Sequence, residues 1–99
     1  MPILNNPIRR TLTASSGSAS DTFSATGICH QILVKPTTST TQYDVSLTDS
    51  NSVVVFKRTS EVGTMNELVT LPLVGAYTVA IDNATVDEDH TVLIIVRNA

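Results

Sequence analysis

Between Gln42 and Thr48 apolar and polar side chains alternate without a break, with Tyr43, Val45 and Leu47 on one side and Gln42, Asp44, Ser46 and Thr48 on the other. Only an extended strand turns a period of two into one dry face and one wet face. The same period returns in Gly75-Ala76-Tyr77-Thr78-Val79-Ala80-Ile81, with Tyr77, Val79 and Ile81 inward. It also sorts the segment after Gly27, placing Ile28, His30, Ile32 and Val34 on one side and Cys29, Gln31, Leu33 and Lys35 on the other, with Pro36 as its end. Further strands are predicted over Val53–Arg58, over Glu67–Leu71 up to Pro72, and over Thr91–Arg97. Asp49-Ser50-Asn51-Ser52 consists of residues that bond their own backbone, so it predicts a hairpin from 42–48 into 53–58, with a loop following near 59–63. No useful helical period separates these segments. Six or seven short strands at roughly ten-residue spacing specify an all-β chain, an antiparallel β-sandwich of immunoglobulin-like or jelly-roll-like kind.

Ninety-nine residues allow one domain. With two Phe, two Tyr and no Trp, its core must be aliphatic. Residues 1–26 differ in composition from 27–99. The run Ala14-Ser15-Ser16-Gly17-Ser18-Ala19-Ser20 costs ordering entropy and buries little, so the chain divides into an N-terminal arm over 1–26, with one strand at 8–13, and a sandwich over 27–99. Leu71-Pro72-Leu73 followed by Gly75-Ala76-Tyr77 resembles the tyrosine corner of immunoglobulin-like sandwiches, which implies a Tyr77 hydroxyl bonded back to backbone.

Two strands are apolar on both faces: Val53-Val54-Val55-Phe56 and Val92-Leu93-Ile94-Ile95-Val96. Left in water, Val54, Phe56, Leu93 and Ile95 would each forgo about 1.5–3 kcal/mol of burial. Either sheet closure hides them inside one chain or a neighbouring subunit covers them.

The chemistry-bearing residues form no recognised site. Cys29 and His30 are adjacent in a strand, so their side chains diverge unless a bulge intervenes. One cysteine precludes an internal disulfide, and with two histidines it falls short of a zinc set. Asp82, Asp87, Glu88 and Asp89 crowd one loop but lack calcium-loop spacing. Asn83-Ala84-Thr85 matches a glycosylation acceptor by coincidence. Six Lys and Arg against nine acids, for a net charge of −3, give no basic stripe for nucleic acid. No apolar run approaches the ~18 residues of a membrane span, and Met1 to Pro7 show no basic leader, so the chain is expected to be made in the cytoplasm and to need neither membrane nor cofactor.

An arm rich in Ser and Thr, an aliphatic sandwich and no site together resemble the small β-sandwich structural proteins of tailed bacteriophage virions, the capsid decoration or cement type. The resemblance is to a type, and no position carries a fingerprint. It implies a non-enzymatic virion protein that binds the major capsid protein or other virion subunits, associates with itself, and stabilises the lattice by binding only its assembled state. The expected contacts are Ile3, Leu4, Ile8, Arg9, Arg10 and Leu12 on the arm, and Val54, Phe56, Leu93 and Ile95 on the sandwich. A tail or connector component is one alternative. A free-standing ligand- or carbohydrate-binding sandwich, using the loop from Asp82 to His90, is another, and an enzyme built on Cys29 is a third.

Overall fold

A computed structural model describes residues 7–38 and 40–97. Six antiparallel strands run in chain order as β1 (Ile8–Thr13), β2 (Ala19–Pro36), β3 (Gln42–Asp49), β4 (Val54–Val62), β5 (Met65–Asp82) and β6 (Asp89–Arg97). They hydrogen-bond in the order β1-β6-β2-β5-β3-β4.

Two of these strands, β2 and β5, are 18 residues long, and each serves two layers. Residues 28–36 of β2 pair with β6, whereas residues 77–82 of β5 pair with β3. The β2–β5 ribbon therefore bends midway, and glycine marks the bend on both strands: Gly27 has φ +147° and Gly75 has φ +99°. At Gly27 a Cβ would lie 2.3 Å from the Arg97 carbonyl oxygen, so only glycine allows β2 to pass the end of β6. One layer holds β1, β6, the second half of β2 and the first half of β5. The other holds the remaining halves with β3 and β4. Between them lies a single core that includes Ile32, Val34, Val92 and Ile94 from the first layer and Tyr43, Val45, Leu47, Val79 and Ile81 from the second. The chain is an all-β sandwich.

Pro72 does not end a strand. It lies within β5 opposite Ile28, in the half of β5 that has a hydrogen-bonding neighbour on one side only, where a missing N–H is tolerated. The expected strands at 67–71 and 75–81 are thus one. Likewise β4 extends to Val62 through the expected loop, with Ser60 at φ +57° where the β3 pairing slips. The Asp49 hairpin forms as predicted: its carboxylate accepts from the Asn51 and Val53 amides at 2.8 and 2.9 Å.

The expected division at residue 26 is corrected. β2 crosses it without a break, and β1 is an integral edge strand paired from Ile8↔Ile94 to Thr13↔Asp89. The Ser/Gly/Ala run is a short connection, held because the Ala14 amide donates to the Glu88 carbonyl and the Ala84 amide to the Gly17 carbonyl, at 3.0 and 2.9 Å. Ala14 is fully buried. Backbone bonding to the 82–90 loop supplies the order that its side chains cannot.

The predicted facing of the Cys29 segment is also corrected. His30 sits at a register shift in both pairings of β2, so the parity reverses there, and Cys29 points inward with Ile32 and Val34 while Ile28 does not. The tyrosine corner holds in its essential bond: the Val74 amide donates to the Tyr77 hydroxyl at 2.8 Å.

Candidate functional site

The nucleophile candidate Cys29 and the ligand candidate His90 are both buried. A bulge does intervene beside Cys29, yet the thiol is fully buried, lies 3.6 Å from the Gln31 carbonyl oxygen, and is pushed above its ordinary pKa by burial. A protonated, enclosed thiol is a poor nucleophile. His90 is fully buried too, edge-on to the Tyr43 ring at 5.2 Å between centroids, and neither of its nitrogens has a partner among the described residues.

The acidic loop is tied inward. A Glu88 carboxylate oxygen accepts from the Thr38 amide at 2.6 Å, and an Asp89 oxygen accepts from the Thr13 hydroxyl at 2.5 Å. These carboxylates fasten the β1–β2 and β2–β3 connections. Among the described residues no three His, Cys, Asp or Glu side chains converge as a metal would require. Asn83 donates its amide to Asp44 at 2.6 Å, and Asp44 is held below the ordinary carboxylate range, first by the Ser60 amide, then by Asn83, with Lys57 a lesser cause.

What the fold presents instead is a pair of unlike outer faces. On the second layer the register aligns Thr22, Thr78 and Thr48 in one row and Ser20, Ala80 and Ser46 in the next, a hydroxyl-rich surface suited to water. On the first layer the rows are Arg9, Leu93, Leu33 and Asn66, then Ile95, Gln31 and Leu68. Leu33, Leu93 and Ile95 are half-buried, Leu68 is 78% exposed, and Gln31 between Ile95 and Leu68 donates to Asn66 at 2.7 Å. This face is an aliphatic patch edged by Arg9, Lys35 and Arg97.

The flanks of the sandwich, where the two layers meet edge to edge, also differ. On one, β1 faces the start of β2, and Arg10 reaches Asp21 at 3.1 Å. On the other, β4 faces the first half of β5, and Arg58 reaches Glu67 at 2.9 Å. This second flank opens into a groove of about 430 Å³ lined by Val54–Arg58 and Val69–Leu71. Arg58 also stacks over the Phe56 ring, 4.7 Å from its centroid.

The predicted contact residues are distributed unevenly over these surfaces. Ile3 and Leu4 lie outside the described residues. Leu12 and Phe56 are core residues at 4% and 7% exposure, and Ile8 packs against that core. Leu12 and Phe56 are therefore corrected as contact residues, since this chain's own core takes them up. Phe56 turns inward because the β3–β4 register slips at Val55, which leaves Val54 outside at 52% exposure. Arg10 is engaged with Asp21, whereas Arg9 is exposed beside Leu93. Among the described contact residues, Arg9, Leu93 and Ile95 come together on one face. Sequence reasoning missed Leu33 and Leu68 on it, although Leu68 in Glu67–Leu71 is apolar out of phase with Val69 and Leu71.

No protein-family model matches the chain, and no curated protein matches it by sequence. Among solved structures, PliG of Aeromonas hydrophila, a periplasmic inhibitor of g-type lysozyme, is similar over 92% of this chain and 85% of its own, with TM-score 0.52 and 12% identity. The lipase BlEst2 of Bacillus licheniformis, in propeptide form, is similar over 100% of this chain but only 23% of its own, with TM-score 0.55 and 17% identity. A carbohydrate-binding module complexed with calcium and xylotriose aligns over 99% of this chain and 93% of its own at TM-score 0.44 and 16% identity, too slight a likeness to bear on binding. At such identities the likeness is one of fold, which hosts unrelated functions.

Proposed function

We propose that the protein is a non-enzymatic binding sandwich that docks through the outer face of its first layer, against further copies of itself or other protein subunits. The observation that carries this reading is the contrast between the two faces: Leu33, Leu68, Leu93 and Ile95 on one, Ser and Thr rows on the other. Aliphatic patches edged by charge mark protein contacts on otherwise soluble domains. Carbohydrate is a poorer fit. All four aromatic rings, Phe23, Tyr43, Phe56 and Tyr77, are buried, so none is free to stack on a sugar. A virion lattice, which the resemblance implies, is one protein partner that this face would suit.

The test is light scattering on the whole chain across a concentration series. The parent and a Thr22→Lys/Thr78→Lys control should associate, whereas Leu68→Lys/Leu93→Lys should remain monomeric. If all three associate alike, the assignment of this face is overturned; if all three stay monomeric, its docking against further copies of itself is overturned.

A further inference from the structure

We propose that the groove between β4 and the first half of β5 accepts one extended segment of a partner protein as an added strand, with apolar side chains at alternate positions and a carboxylate seated at Arg58. This site is separate from the aliphatic face.

The walls of the groove set the shape of its occupant. β4 is the last strand of the sheet, and the first half of β5 pairs with β2 alone, so both present unpaired backbone to the groove. Unpaired strand edges are satisfied by another strand, which is how peptide addition gains its main-chain bonds. Pro72 offers no amide, so the β5 edge available for pairing ends at Leu71. The floor sets the side chains. Buried Phe56 and half-buried Val55, Val69 and Leu71 lie there, and an extended chain would turn every second residue toward them.

Charge sets the partner. Lys57 and Arg58 stand at this groove, and Arg58 already holds one carboxylate, that of Glu67. An incoming carboxylate would meet the same guanidinium. The protein's own edge strand β1 is a poor occupant, because its Arg9 and Arg10 would face Lys57 and Arg58. An acidic segment from another protein avoids that repulsion.

Two end-capped synthetic heptapeptides alternating threonine and valine, one closing on glutamate and its twin on lysine, test the proposal with the whole chain by amide NMR and hydrogen exchange. The expected result is saturable binding that slows exchange within Glu67–Leu71, with the glutamate peptide favoured about two- to five-fold. Arg58→Gln should erase that preference, and Glu67→Gln, which frees the guanidinium, should enlarge it. Both substitutions are at the surface, and a retained melting transition shows that they fold. No saturable binding, equal binding of the twins, or protection on β1 instead would overturn the proposal. None of these results bears on association through the aliphatic face, which is read by light scattering.

Discussion

Arg58 on β4 donates to Glu67 on β5 at 2.9 Å, and the two strands that it joins share no backbone hydrogen bond. Arg10 and Asp21 repeat the arrangement on the opposite flank, at 3.1 Å between β1 and β2. Each ion pair joins the two layers where no ladder can. All four side chains are between about a third and a half exposed, so solvent screens them and each pair contributes little. Glu67→Gln and Asp21→Asn should each cost about 0.2–1 kcal/mol in urea unfolding, less at high salt. Lying on opposite flanks, the two losses should add.

The buried His90 ring makes a different prediction. Its nitrogens gain no hydrogen bond among the described residues, so its polarity carries a desolvation cost without return. His90→Leu should leave the melting temperature unchanged or raise it. Tyr43→Phe, beside it, should do the reverse. The Tyr43 hydroxyl donates to the Gly63 carbonyl at 2.7 Å, and losing that bond should cost about 1–3 kcal/mol. A large loss from His90→Leu would show that the imidazole has a partner.

Which parts of this fold the sequence discloses follows from how local their causes are. The alternation at 42–48 and the Asp49 turn depend on neighbouring residues, and both are found as predicted. Register shifts at His30 and Val55 are not local, because a bulge is defined only against a partner strand. Each reversed a facing, bringing Cys29 and Phe56 into the core. The order of residues 14–20 was hidden for the same reason, since bonds to Glu88 and Ala84 near the far end of the chain hold it. Of the candidate surfaces, the apolar outer face was half legible through Leu93 and Ile95. The groove was not legible at all, since it exists only where strands from two layers leave their edges side by side.

Glycine at the bend gives a paired prediction. Gly27→Ala forces a Cβ onto the Arg97 carbonyl oxygen, backbone that cannot swing aside, whereas Gly75→Ala meets nothing within 4 Å. Both carry the strain of positive φ, about 1–3 kcal/mol. Gly27→Ala should therefore destabilise clearly more than Gly75→Ala in the same denaturant series. Equal losses would place the bend elsewhere than the β2–β6 approach.

Alkaline pH should weaken the fold through Tyr43. Burial, aided by the nearby Glu61 carboxylate, pushes its hydroxyl up from 10.0 to about 12. A group whose pKa is raised on folding contributes its full stability below the unfolded value and loses it as pH rises through the folded one. The Tyr43 contribution should hold up to about pH 10 and be lost between there and about 12. The buried Cys29 thiol, raised from 9.0, adds a loss of the same sign. Tyr43→Phe should flatten the upper part of this decline, as followed by circular dichroism at fixed urea. An unchanged decline in that variant would assign it to other groups.

Removal of residues 1–12 distinguishes an appended arm from an integral strand. An arm could be cut away and leave the sandwich intact. Here β1 covers the edge of β6 along six paired residues, inserts Leu12 into the core and packs Ile8 against it. Burial of Leu12 alone is worth about 1.5–3 kcal/mol, a large share of the ~5–15 kcal/mol that holds a domain folded, and half-buried Ile8 adds to it. Deletion also exposes an unpaired β6 edge and frees Asp21 from Arg10. The truncated chain should lose its cooperative thermal transition, or melt far below the parent, and should aggregate through β6. Leu12→Ala is the milder version and should cost about 2–5 kcal/mol. A truncated chain that melts like the parent would return β1 to the status of a detachable arm.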